Sequence, residues 1–446
     1  MTSQKTLDEY VKKRTPSIAE QQPTLQYKVT GFYTEFQETP IRKIPSEWRL
    51  HRLVELLSYV KGKKPKGLVN EKKEGYLPYL TTDYLRTGIP SNYAKPGDDV
   101  ILVDDNDILL LWDGSNAGEF FLGRKGVLAS TMVKLQPRVG NVNKPFYYYY
   151  LKRTESRLKS HTKGTGIPHV DKLVFENLLL PIPSLEEQWG IAEVLSTVDK
   201  AIEGVDRVVA RLEQLKKALM RELLTGRVRV REENGKLVFY RETKLQETEI
   251  GKIPSEWKLI ELAHLAQIIM GQSPPSSTYN REGIGMPFLQ GKMEFGRVYP
   301  SPVTYTTQPL KTAEPNDVLI SVRAPVGDAN IAPCRLCIGR GLAAIRFNPK
   351  VADYMFYFYY FQTIKEHLEV LGKGSTFKAI TKKDLEKLKV VQPPVNEQKR
   401  IAEVLSTVDK AIELYYEKRA RLERLKRGLM DLLLTGRVRV RVESVS

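Results

Sequence analysis

Two stretches of the chain space their apolar residues as a helix does when it buries one stripe. In the first, Ile191, Val194, Val198, Ala201, Val205, Val208, Leu212, Leu215 and Leu219 recur at alternating three- and four-residue steps, and Leu195, Ile202 and Val209 widen the stripe to one side. In the second, Ile401, Val404, Val408, Ala411, Tyr415, Leu422, Leu425 and Leu429 keep the same rhythm, interrupted at Lys418. Such a rhythm, held over ~5 heptads, predicts helices that pair in a coiled coil. Pro183 and Pro394 lie just upstream, and Gly226 and Gly436 just downstream, where proline frames a helix start and glycine ends one. Each predicted helix has ~34 residues and a length of ~50 Å.

The remaining pattern is of short apolar runs and aromatic helices. "DILLLW" (107–112), "VLASTMVKLQP" (127–137), "DVLISV" (317–322) and "LAAIRFNP" (342–349) read as strands. "KPFYYYYLKR" (144–153) and "DYMFYFYYFQTIKEHL" (353–368) read as helices, and their aromatic residues sit at helical spacing, as core does.

The chain is built twice. "IAEVLSTVDKAIE" occupies 191–203 and, unchanged, 401–413; "KIPSEW" stands at 43–48 and 252–257; "LLTGRVRVR" at 223–231 and 433–441. Lys43 to Lys252 is 209 positions and Ile191 to Ile401 is 210. A repeat this long means duplicated domains rather than a solenoid. The helical parts are nearly identical. The parts before them keep only a skeleton, such as "LPYL" against "MPFL". The expected order is a polar N-terminal segment (1–30), a first variable domain (31–182), a first helix (183–231), a second variable domain (232–393) and a second helix (394–446). The fold class is α+β: two α/β domains joined by two long antiparallel coiled-coil helices in a pseudo-two-fold, circular repeat. "TLQYKV" (24–29) is expected to pair with "RVRVRV" (437–442) and close the ring.

Seventy Lys and Arg against 53 Asp and Glu give a net charge of +17, which attracts polyanions, nucleic acid first among them. An anionic membrane surface is the weaker reading, since no basic amphipathic helix is expected at the end of the chain, and no apolar run reaches the ~20 residues of a membrane span. The polar start lacks a signal core, so a cytoplasmic location is expected. Cys334 and Cys337 supply half a zinc site at best, and the five histidines (His51, His161, His169, His264, His367) are scattered.

Phosphate-loop, dinucleotide-fold, zinc-protease and nucleophile-elbow motifs are all missing. "GTGIPH" and "GIGMPF" lack the third glycine of a phosphate cradle, and "APVGD" is not the Pro-Pro-aromatic motif of amino-methyltransferases. Binding is therefore favoured over catalysis, and no metal site is assigned. Candidate DNA contacts lie in basic, glycine-rich loops: Lys61, Lys63, Lys64 and Lys66 in "KGKKPKG", Lys163 in "HTKGTGIPH", and Lys373 and Lys378 in "LGKGSTFKAI". Glycine lets backbone approach phosphate, and lysine neutralises it. Asn116, Arg124, Gln290, Lys292, Arg323 and Arg340 are candidates for reading base edges. A DNA methyltransferase or nuclease with an atypical site, and a coiled-coil adaptor with protein-binding arms, are the alternatives.

With the twofold repeat, "IPSEW" opening each half, "KGSTFKAITKKDLEKLKV" running into "PPVNEQKRIAEVL", and "LLTGRVRV" closing each helix, residues 30–441 resemble the specificity subunit of type I restriction–modification enzymes. The first junction departs from the pattern, with "EQWG" in place of "EQKR". The resemblance implies two target recognition domains that each read one half of a split, asymmetric site in double-stranded DNA. It implies a helix pair that sets the spacer and docks two methyltransferase subunits. This chain would hold no cofactor. S-adenosylmethionine would sit on adenine-methylating partners, and ATP and Mg on a restriction (motor) subunit.

Overall fold

The computed structural model describes residues 26–97, 99–138, 142–164, 166–371 and 379–443. In the first variable domain, strands Phe120–Leu122, Ile108–Leu111, Met132–Pro137 and Leu57–Lys61 form an antiparallel four-stranded sheet in that order. A second sheet orders Leu68–Val69, Tyr93–Ala94, Leu77–Leu80, Gly126–Leu128 and Leu102–Val103, with a parallel pairing between Leu77–Leu80 and Gly126–Leu128. The run 127–137 is thus two strands in two sheets. The Met132 N–H donates to the Ala129 carbonyl at 3.0 Å and turns the chain between them.

The second variable domain repeats this topology with different residues. Its four-stranded sheet orders Ala329–Ile331, Val318–Ser321, Leu342–Phe347 and Ala266–Met270. Its five-stranded sheet orders Tyr279–Asn280, Thr304–Thr306, Met286–Leu289, Leu336–Ile338 and Thr312–Ala313, with the parallel pairing at the equivalent place. The unbroken apolar runs are explained by burial on both faces. Ile108 and Leu110 face one core while Leu109 and Leu111 face another, and Val318 and Ile320 divide from Leu319 in the same way.

Helix α1 (Lys144–Ser160) begins where the Asn143 side chain accepts the Phe146 N–H. The long helix α2 spans Leu185–Leu223. Helix α3 (Tyr354–Thr363) is capped by Asp353 as α1 is by Asn143, and the long helix α4 spans Val395–Leu433. The aromatic residues are core: Phe146, Tyr147, Tyr149 and Tyr150 are buried, as is every residue from Phe356 to Phe361. Gly226 and Gly436 end the long helices with φ of 71° and 67°.

The chain divides into two compact units, residues 1–204 with 419–446 and residues 205–418. Each unit holds one variable domain and half of each long helix. In the first, Ile191, Ala192 and Leu195 share a core with Leu429, Met430 and Leu433; in the second, Leu219, Met220 and Leu223 share one with Ile401, Ala402, Val404 and Leu405. Within a unit, then, the start of one helix meets the end of the other, and the two segments are antiparallel.

The buried stripe shares Ile191, Val198, Val205 and Leu212 with the one expected and differs at the positions between them. Leu215 and Leu425 are 41% and 51% exposed, and Ala201 is exposed as well. The stripe follows the other phase of the heptad, through Ile191, Leu195, Val198, Ile202, Val205, Val209 and Leu212. That phase then passes through Lys216, whose ammonium meets Asp409 at 2.7 Å; Lys426 meets Asp199 at 2.6 Å in the other unit. A lysine therefore takes the inward position beside each exposed leucine. Val194 and Val404 flank the stripe, half-buried.

The ends of the chain pair as expected. Strand Gln26–Gly31 runs antiparallel to Arg439–Glu443, with Val29 opposite Val440. Its counterpart is the hairpin Val228–Glu233 with Lys236–Arg241, turned at Asn234 and Gly235, both at positive φ. The first unit thus makes from two chain ends what the second makes from one hairpin. Among the described residues no helix is long and apolar enough to cross a membrane.

Candidate nucleic-acid interface

In the first variable domain the basic loop starts where strand Leu57–Lys61 meets a tight contact. A Cβ on Gly62 would lie 2.1 Å from the Ala129 carbonyl oxygen, so only glycine fits there. Lys63 and Lys64 are exposed on the loop that follows. Lys61 pairs with Asp113 at 2.8 Å, and Lys66 with Asp99 at 3.2 Å, which holds the Asp99 carboxyl below its usual range. Asp113 forms a backbone bridge with His169, and the Gly114 N–H donates to the Pro168 carbonyl at 2.8 Å. Thr162–Lys163 pairs with His169–Val170, and Lys163 reaches Asp171 at 2.9 Å, lowering that carboxyl too. The Lys61 loop, the Asp113 turn with exposed Asn116, and the Lys163–His169 loop therefore gather at one edge of the four-stranded sheet.

Arg124 does not join them. Its guanidinium lies 5.9 Å from the Tyr84 ring centroid, on the flank where Arg86 and Lys152 bracket Phe121 at 5.7 and 5.6 Å.

The second domain gathers its candidates at the equivalent edge. Gly271 is the counterpart of Gly62: a Cβ there would lie 2.1 Å from the Gly339 oxygen. A Cβ on Gly339 or Gly341 would be 2.9 Å from the Gln290 carbonyl, and the Arg340 N–H donates to Ser273 Oγ at 3.3 Å. The Val322 N–H donates to the Gly341 carbonyl at 2.9 Å, bringing Arg323 alongside. Gln290, Arg323 and Arg340 are exposed, so their amide and guanidinium donors face solvent at one place. Exposed Gln272 and half-buried Ser273 belong to the same edge. Sequence reasoning missed both, although "GQSPP" directly after a strand is a loop signal.

Lys292 sits in an ion-paired cluster. It pairs with Asp328, which Lys365 also holds at 2.6 Å. Burial alone would raise the Asp328 carboxyl, and the two ammonium groups outweigh it and keep it low. Lys292 thus makes an ion pair within its domain, as Lys61 and Lys163 do in the first. Arg86 makes the corresponding tie to Glu119 in the first domain. Lys373 and Lys378 lie outside the described residues. Cys334 is exposed and Cys337 buried, and the described residues contain no group of three His, Cys, Asp or Glu placed to hold a metal. The largest upward shifts belong to packed tyrosines and follow from burial, which also pushes Tyr147 and Tyr360 up to about 12. What the two edges offer is hydrogen-bond donors and cations on a rigid frame, which suits recognition of an anionic, donor-and-acceptor-bearing surface.

A family model described as "Type I restriction modification DNA specificity domain" matches residues 45–214 and again 254–424. The putative type I restriction enzyme MjaX specificity subunit of Methanocaldococcus jannaschii is 37% identical over 440 residues, covering 92% of this chain and 98% of that protein. The type I restriction enzyme MjaVIII specificity subunit of the same organism is 35% identical over 430 residues, covering 93% and 98%. A solved chain from work on complex assembly and conformational transition of the type I R-M system is 28% identical, covers 88% of this chain and 99% of that one, and has a TM-score of 0.51.

Proposed function

This chain belongs to the DNA specificity subunits of type I restriction–modification systems, and we propose that its two variable domains each read one half of a split, asymmetric DNA target. Residues 31–182 contact one half-site through the Lys61–Gly67, Asp113–Asn116 and Lys163–His169 loops. Residues 232–393 contact the other through Gln272, Gln290, Arg323 and Arg340. The observation that carries this reading is one topology bearing two different loop sets: a fixed frame with different donors at the same edge recognises different bases. The paired helices act as the spacer and dock two modification subunits. The chain itself performs no chemistry. S-adenosylmethionine and adenine methylation belong to those partners, and ATP and Mg to a restriction subunit.

Domain exchange tests the division of labour. Replacing residues 31–182 with the corresponding domain of a specificity subunit of different target should change one half-site and leave the other half-site and the spacer intact. A change in both half-sites, or in neither, contradicts the assignment.

A further inference from the structure

Asp199 and Asp409 occupy the same step of the repeated helix, and each is held from two sides. Tyr149 donates its hydroxyl to Asp199 Oδ2 at 2.7 Å, and Lys426 Nζ meets Oδ1 at 2.6 Å. Tyr359 donates to Asp409 Oδ2 at 2.7 Å, and Lys216 Nζ donates to Oδ1 at 2.7 Å. Each ammonium also lies over the ring of its tyrosine, Lys426 at 5.3 Å from the Tyr149 centroid and Lys216 at 5.2 Å from that of Tyr359. The side chains of Lys216 and Asp409 are only 12% and 7% exposed. In each unit one aspartate therefore ties together three elements. They are the aromatic helix of its own domain, the long helix that follows that domain, and the long helix of the other copy.

Apolar packing alone does not choose between registers. A stripe that repeats every seven residues meets another such stripe again after a slide of one heptad, ~10.5 Å along the helix. The triads do choose. A slide of one heptad would set Lys216 against Ala402 or Tyr416 and Lys426 against Ala192 or Asp206, and would leave Asp409 buried without its cation; buried polar pairs are best attested in this registry role. Asp199 and Lys216 are as far apart on α2 as Asp409 and Lys426 are on α4, so both triads close in the same antiparallel register.

We propose that Tyr149–Asp199–Lys426 and Tyr359–Asp409–Lys216 are positioning residues that determine specificity. They fix the register of the helix pair and the seat of each recognition domain on it, and so hold the DNA target to a single spacer length. This rests on the reading of the helices as the spacer.

The test uses the full-length chain assembled with its modification subunit. The variant carries Lys216→Met, Asp409→Leu and Tyr359→Phe together with Lys426→Met, Asp199→Leu and Tyr149→Phe. Both proteins are offered duplexes in which the parent's two half-sites are separated by a series of spacers, and methylated adenine is read by sequencing. The parent is expected to methylate one spacer. The variant is expected to methylate neighbouring spacers too, its preference for the parent's spacer falling about tenfold or more, with a melting temperature no lower than the parent's. A folded variant that keeps the single spacer overturns the inference. A variant that fails to fold overturns it as well, because the triads would then be stability elements. A parent that methylates no split site is a failure of the functional reading instead.

Discussion

Lys63 and Lys64 extend from the first domain with their charges in solvent, whereas Lys61 and Lys66 are partly spent on Asp113 and Asp99. The double substitution Lys63→Ala/Lys64→Ala should weaken binding to all sequences alike. Each ammonium taken away from a phosphate should lower the slope of log affinity against log salt by about 0.9. Salt titrations on cognate and scrambled duplexes check this; a loss confined to the cognate duplex would make these lysines base readers. Arg340→Ala should instead cost about 1–3 kcal/mol of discrimination at one position of the half-site read by residues 232–393, and nothing in the other half-site. The charge and the loop chemistry behind these assignments were legible in the sequence. The capture of Lys292 by Asp328 was not, because the pairing joins a short 3-10 turn to a loop 36 positions further along that only the fold brings together.

A second residue-scale contrast lies where each long helix begins. Glu397 receives Arg229 Nε at 2.6 Å and Trp257 Nε1 at 3.1 Å. Its counterpart Glu187 receives the Tyr33 hydroxyl and Trp48 Nε1, while Arg439 turns to Glu47 at 2.5 Å. Burial raises the Glu187 carboxyl above its usual value, and the two donors only partly offset this. The folded chain therefore holds a proton there at pH values where the unfolded chain has released it. Stability from this group is full below the ordinary carboxylate range and declines as pH climbs through the raised value. Glu187→Gln should flatten that decline in a series of melting curves; an unchanged pH slope would show that Glu187 is ionised in the fold.

At the scale of elements, the long helices show how far periodicity reaches. Their existence followed from the three-four rhythm and their antiparallel partnering from the whole domain between them; at 39 residues each they are longer than the rhythm marked. The phase followed in part: Ile191, Val198, Val205, Leu212 and Leu219 lie on both the expected and the buried stripe, and the positions between are taken by Leu195, Ile202, Val209 and Lys216 rather than Val194, Ala201, Val208 and Leu215. On the inward stripe Asp199 and Asp409 each meet a lysine arriving from the other helix. Lys216→Met alone should cost about 3–5 kcal/mol, since it leaves Asp409 buried beside Tyr359 without its cation. Leu215→Ala, one residue away and largely exposed, should stay within about 0.5 kcal/mol. Denaturant unfolding of both variants checks the pair; equal costs would restore the leucine to the core. The strands were less legible than the helices. Their apolar runs marked burial, but the division of 127–137 between two sheets depends on the turn at Ala129–Met132.

At the scale of the whole chain, duplication accounts for most of the design. The exact repeats mark what both halves share: the first part of the helix, its end, and the Trp48 and Trp257 junctions that pack beneath Gly436 and Gly226. The diverged stretches mark where the halves differ, and their common topology was hidden because it is carried by burial pattern rather than by residue identity. Closure of the ring through Gln26–Gly31 and Arg439–Glu443 was visible as a pair of alternating β-rich ends. If the helices are the spacer, deleting residues 207–210 and 417–420 removes ~6 Å from each helix, about two base pairs, without touching either triad. The expected result is a shorter gap between unchanged half-sites.

The most direct measurement of the central claim is methylome sequencing of a host that expresses this chain with its modification subunit, set beside the same host lacking the chain. The account predicts a two-part motif with methylated adenine and a constant gap, the two parts unlike each other, present only with the chain. A continuous motif, a palindromic one, or a methylation pattern indifferent to the chain while the modification subunit is active would contradict it.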